Sequence, residues 1–149
     1  MGNWNLCTIK YEKLMENGKE KKISEKYLVD SLSVTEAEAR IIEEMTPFIS
    51  GEFEVKSVSD TKYSAVVPSE NEADDIWYKI NLSYLTLDEK TGMDKRVSDL
   101  MLFQASDIRK AIEYFDLYMK GTMADYIIDG VSDSKIVDVY KYEFEKGEL

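Results

Sequence analysis

Ser57-Val58-Ser59-Asp60-Thr61-Lys62-Tyr63-Ser64-Ala65-Val66-Val67 returns 73 residues later as Gly130-Val131-Ser132-Asp133-Ser134-Lys135-Ile136-Val137-Asp138-Val139-Tyr140, with five of the eleven positions identical. The same offset links Trp4 to Trp77, Tyr11 to Tyr84, Leu14 to Leu87 and Glu16 to Glu89. Between these two ends the offset is 74, pairing Gly18 with Gly92, Lys21 with Lys95, Ser24 with Ser98, Leu28 with Leu102, Ala37 with Ala111 and Met45 with Met119. One residue is gained in the first turn and lost after the helix, where loops absorb changes in length. The pattern reads as a tandem duplication of one α+β unit.

Each copy spells the same elements. Residues 4–14 and 20–32 are strand-like and joined through Asn17-Gly18, which supplies the positive φ angles of a tight hairpin turn. Residues 77–87 and 94–105 repeat this around Thr91-Gly92. A helix follows in each copy. Ser33-Val34-Thr35-Glu36 has the form of a capping box, and Asp107 is the corresponding cap in the second copy. Val34, Ala37, Ile41 and Met45, then Ile108, Ala111, Ile112, Phe115 and Met119, recur at helical spacing and are the expected buried stripes. Gly51 and Gly121 come shortly after the helices, suited to ending them. A second hairpin is expected to close each unit, 52–58 with 62–67 and 124–131 with 134–141, turning at Ser59-Asp60 and Ser132-Asp133.

The expected architecture is therefore α+β: a tandem β-β-α-β-β unit building an antiparallel sheet, with two helices packed on one face. The organisation is a single domain of two repeats, 4–67 and 77–140, around an acidic linker at 68–75 and before a tail at 143–149. One unit alone is marginal in size, so the halves are expected to share a core.

Composition narrows the function classes. The chain has no histidine and one cysteine, Cys7, which excludes an intrachain disulfide and the Cys/His zinc sites. The formal charge is −11 and both halves are acidic, which argues against a general affinity for nucleic acid or anionic membrane. No apolar run approaches the length of a membrane span and the amino terminus lacks the pattern of an export signal, so a reducing, cytoplasmic setting is expected.

Tyr27-Leu28-Val29-Asp30, the run from Thr35-Glu36-Ala37-Glu38 to Gly51-Glu52-Phe53, Leu87-Asp88-Glu89-Lys90 and Met119-Lys120-Gly121-Thr122-Met123-Ala124-Asp125-Tyr126 carry a resemblance to a known family. The chain resembles an uncharacterised family, known only as a domain of unknown function, of gut Bacteroidales and their phages. The resemblance covers nearly the whole chain and implies a small protein of a phage or mobile element, acting inside the bacterial host. It implies no activity, so no catalytic residue, cofactor or metal ligand is carried over.

Among the residues themselves, Cys7 lies in a strand-like run and reads as a core thiol rather than a nucleophile. Asp74-Asp75, and Asp125 with Asp129, are the nearest approach to a carboxylate cluster, but without the spacing of a calcium loop or a two-metal site. Lys19, Lys21, Lys22 and Lys26 crowd the first hairpin and Lys90, Lys95 and Arg96 its copy, with tyrosines nearby. These cations read first as guards against edge pairing and second as one basic ridge able to hold a nucleotide or single-stranded nucleic acid. Glu36, Glu38, Glu43 and Glu44 give the first helix an acidic face for a partner, or simply a solvated one. The leading expectation is a non-catalytic accessory protein that binds a host or replication protein, with self-association left open and a small ligand or single-stranded nucleic acid as alternatives.

Overall fold

A computed structural model describes residues 3–141; the expected tail at 143–149 lies outside the described residues. The elements follow as β1 (Asn3–Leu14), β2 (Glu20–Ser31), α1 (Val34–Met45), β3 (Phe53–Asp60), β4 (Tyr63–Val67), β5 (Ile76–Leu87), β6 (Asp94–Ala105), α2 (Ile108–Met119), β7 (Asp125–Asp133) and β8 (Ile136–Tyr140). The protein is mixed α+β and mostly sheet, and the chain divides into two compact units. Unit one takes the residues up to Thr61 and those from Ile136 onward; unit two is Lys62–Lys135.

In unit one the sheet order is β3-β1-β2-β8. The β1–β2 hairpin is antiparallel with Cys7 opposite Tyr27, and Gly18 supplies the turn at φ +79°. Alternation along β1 turns Cys7 and Ile9 to one face, where they meet Tyr27 and Val29 of β2 and the α1 stripe Ala37, Ile41 and Met45. Val34, expected in that stripe, is exposed, because it stands in the first turn beyond the sheet's reach. Ser33 caps α1 as expected, its Oγ accepting from the Glu36 amide at 3.0 Å.

In unit two the order is β4-β6-β5-β7. Ile80 and Leu82 of β5, Met101 and Phe103 of β6, Ala65 of β4 and Phe115 and Met119 of α2 form its core. Phe115 sets its ring edge against Phe103 at 5.8 Å and Tyr126 at 5.6 Å. Asp107 caps α2, accepting from the Lys110 amide at 2.8 Å. Ile108, the counterpart of Val34, is again exposed.

The expected closing hairpins do not form, and the sheet is not one antiparallel layer but two four-stranded mixed ones. Ser59 and Asp60, read as a turn, are strand residues opposite Leu6 and Asn5. Ser132 and Asp133 likewise continue β7 opposite Lys79 and Tyr78. β3 pairs with β1 while β4, two residues on, runs parallel to β6; β7 pairs with β5 while β8 runs parallel to β2. The donors that a hairpin would use across its turn are spent on a tryptophan carbonyl. Thr61 gives its amide and its Oγ1 to Trp4 O at 2.9 and 2.6 Å, and Ser134 gives its own to Trp77 O at 3.0 and 2.6 Å. Each unit thus receives its fourth strand from the far end of the other stretch of sequence. Side-chain alternation fixes which face a strand buries but not which neighbour it takes, so this exchange is invisible in the pattern.

Both β1–β3 and β5–β7 carry one break in register, at Thr8/Ile9 and at Asn81/Leu82, leaving Lys56 and Asp129 as the unpaired bulge residues.

Candidate functional site

Segment 68–75 of unit two, expected to be a plain polar linker, is a tied structure. Pro68 has no amide to continue the β4 ladder, and the chain turns away. Ser69 gives its amide to Gln104 Oε1 at 2.9 Å and its hydroxyl to Asp74 Oδ2 at 2.6 Å, while Asn71 Oδ1 accepts from the Ala73 amide at 3.0 Å. Tyr114 of α2 reaches the same Asp74 Oδ2 with its hydroxyl at 2.7 Å. Asp74 is only 4% exposed. The hydrogen bonds from Ser69 and then Tyr114 hold its carboxyl below the ordinary carboxylate value, outweighing the opposing effect of burial. The Tyr114 phenol is raised in turn, chiefly by its bond to Asp74.

This knot makes one wall of a groove of about 520 Å³. Phe103, Tyr114, Leu117 and Tyr118 line it, together with Pro68, Glu70, Asn71 and Gln104. Leu117 is 63% exposed and Tyr118 52%. The Tyr118 ring stands edge-on to Phe103 at 5.6 Å. The volume lies in the range of small-ligand and side-chain pockets, roughly 300–1,000 Å³, and the lining suits an apolar or aromatic group with a polar attachment. The sequence alone singles out Asp74 only as a linker residue and a carboxylate beside Asp75, and nothing in it ties Asp74 to Tyr114.

The seven basic residues do not gather on one face within either hairpin. Lys19 sits in the turn, its amide held by Asn17 Oδ1, and Lys90 in the corresponding turn, held by Asp88 Oδ1. Lys21 and Lys22 are consecutive strand residues and point to opposite faces, as do Lys95 and Arg96; Lys26 shares the face of Lys22. Arg96 is engaged, its guanidinium 2.9 Å from Asp129 Oδ1. A groove of about 570 Å³ beside the β1–β2 turn takes in Lys10 and Lys22, but also Glu12, Glu20, Glu52 and Glu54. Its carboxylates outnumber its ammonium groups.

The acidic residues of α1 are also spread. At about 100° per residue, Glu36 and Glu43 share the outer side, whereas Glu38 and Glu44 flank the buried stripe on opposite sides. Glu44 is paired with Arg40 at 3.0 Å, and Arg40 also donates to the Lys141 carbonyl at 3.1 Å. Cys7 is fully buried. Burial, with the Glu38 charge second, pushes its thiol up to about 11, the reverse of what a nucleophile needs. Asp74 is buried and its neighbour Asp75 exposed, Asp125 is exposed at the start of β7, and Asp129 occupies the bulge. Among the described residues no group of three or more His, Cys, Asp or Glu is arranged to hold a metal ion, and no helix is long and apolar enough to cross a membrane.

The family described as Domain of unknown function (DUF4494) matches residues 3–142, and the chain belongs to that family. None of the curated proteins matches it.

Proposed function

We propose, for this member of a family whose function is unknown, a non-catalytic binding protein that holds a segment of a protein partner in the aromatic groove of unit two. The observation that carries the reading is Leu117 and Tyr118 in succession on α2, both more than half exposed, in one groove with Phe103 and with Tyr114, whose hydroxyl is tied to Asp74. Rigid aromatic anchors beside an exposed aliphatic residue are what a partner's apolar side chain docks against with little loss of freedom. A duplicated frame fits this division of labour. The shared tryptophan anchors and the bulges at Lys56 and Asp129 support descent of both halves from one β-β-α-β-β unit, and the halves differ at the groove residues on α2. Leu117 and Tyr118 stand where the first half has Glu43 and Glu44. The setting we propose is the cytoplasm of a bacterial host, in a phage or mobile element, with a host or replication protein as the target.

Capture from host lysate tests this. The wild-type chain is expected to retain a protein that Leu117→Glu releases, while reversal of Lys21, Lys22, Lys95 and Arg96 to Glu leaves the capture intact. Equal retention by wild type and Leu117→Glu sinks the groove as the contact. Nucleotide or single-stranded nucleic-acid binding through the basic residues is the second reading, and the Lys-rich first hairpin favours it. It has less support, since the cations divide between two faces and Arg96 is already paired. It requires binding that weakens steeply with salt and is lost in the charge-reversed variant.

A further inference from the structure

We infer that the groove of unit two selects an extended segment of a partner protein in which a bulky apolar side chain stands beside Lys or Arg. The inference rests on the groove reading above and names what the groove prefers. Two carboxamides carry its first half. Gln104 Oε1 accepts from the Ser69 amide at 2.9 Å, and Asn71 Oδ1 accepts from the Ala73 amide at 3.0 Å. A backbone N–H can only donate, so these bonds fix which end of each carboxamide is oxygen. The oxygens are occupied, and neither side-chain nitrogen has a partner among the described residues. Both residues line the groove. The groove therefore has donors to spare, whereas the Tyr114 hydroxyl is already given to Asp74. Spare donors beside apolar side chains match an extended chain, which presents a carbonyl oxygen at every residue.

Charge carries the second half. Among the residues that line the groove Glu70 is the one charged side chain. It is exposed and has no ion pair among the described residues. Segment 68–75 holds no Lys or Arg, and its Glu72 and Asp75 are exposed as well. On α2, Asp116 immediately precedes Leu117, and Lys120 carries the one positive charge of residues 111–120. The two stretches that build the groove are thus mainly negative. Such a field favours a cation beside the apolar anchor and disfavours an acidic segment or a chain-terminal carboxylate.

Selection of a random heptapeptide display library on the full chain, followed by fluorescence anisotropy of the enriched peptides, provides the test. The enriched peptides are expected to carry a bulky apolar residue with Lys or Arg within two positions, and to be released by Leu117→Glu. Glu70→Lys is expected to weaken them about tenfold, through loss of one exposed pair and gain of one repulsion. Gln104→Glu keeps the acceptor for the Ser69 amide and removes the donor, and is expected to weaken them about fivefold. It also adds a negative charge, so donor and charge act on affinity in opposite directions. Asn71→Asp, at an exposed position, makes the same exchange should Gln104→Glu fail to fold. Peptides that Leu117→Glu releases but that are acidic or show no preference of charge overturn this inference alone, as does tighter binding by both carboxylate variants. No enriched peptide, or peptides that Leu117→Glu still holds, overturn the groove reading with it.

Discussion

Tyr114 and Asp74 are joined by a single hydrogen bond of 2.7 Å that fastens α2 to the segment following β4. Arg40, 74 residues earlier, does the equivalent work in α1 by donating to the Lys141 carbonyl after β8. Position and purpose agree; the chemistry differs, and only the second unit's version leaves an aromatic groove behind. Tyr114→Phe keeps the ring and removes the donor. Asp74 has a depressed carboxyl, so its contribution to stability is fully present above the ordinary carboxylate value and is lost as pH falls through the lower folded value. The variant is expected to melt below wild type at neutral pH, with the gap closing in strong acid. A thermal-melt series from neutrality downward checks this; a gap that is constant with pH contradicts it.

At the alkaline end the sign reverses. The Cys7 thiol is pushed from its ordinary 9.0 up to about 11, mainly by burial. Its stabilisation is present below the ordinary value and lost as pH rises toward the folded one, an effect of about 2 kcal/mol. Tyr140 is pushed up to about 12, first by burial and then by the charges of Asp138 and Glu44, and Tyr27 is raised further still. Denaturant melts between pH 8 and pH 11 are expected to show unit one weakening, with a shallower slope in Cys7→Ala. In the folded wild type at pH 8, a thiol reagent is expected to label Cys7 only at the rate of unfolding.

Both hairpins, both helix caps and most of each buried stripe are legible in the sequence, because each depends on residues within a few positions of one another. Asn17-Gly18 has one favourable backbone shape, and Ser33 can serve only the amides just after it. The third and fourth strands are not legible in this way. Ser59-Asp60 and Ser132-Asp133 have the composition of turns, yet they remain in strands because Thr61 and Ser134 find tryptophan carbonyls 57 residues back in the chain. The groove was hidden for the same reason. Tyr114 and Asp74 are 40 positions apart, and neither belongs to a motif that predicts the other.

Phe115 tests where the stability of unit two resides. It is fully buried and meets Phe103 and Tyr126 edge-on. Phe115→Ala leaves a cavity enclosed by sheet and helix and is expected to cost about 3–5 kcal/mol in urea unfolding. Leu117→Ala, two residues on and 63% exposed, is expected to change stability by less than about 0.5 kcal/mol. That contrast also licenses Leu117 as the residue to alter when partner binding is measured, since its loss leaves the fold intact.

Asp129 in the β7 bulge takes two partners of unequal weight. Arg96 lies 2.9 Å from one oxygen, but its side chain is 58% exposed and the carboxylate side chain 35%. Ser83 donates to the other oxygen at 2.5 Å and is 3% exposed. Removing Arg96 therefore loses a solvent-screened ion pair, and Arg96→Ala is expected to cost less than about 1 kcal/mol. Removing Asp129 strands a buried hydroxyl without its acceptor, and Asp129→Ala is expected to cost about 1–3 kcal/mol. Asp129→Ala combined with Ser83→Ala, which takes away the stranded donor, is expected to recover part of that loss. A double-mutant cycle on urea unfolding reads the coupling, and an Arg96 effect as large as the Asp129 effect would place the weight on the ion pair instead.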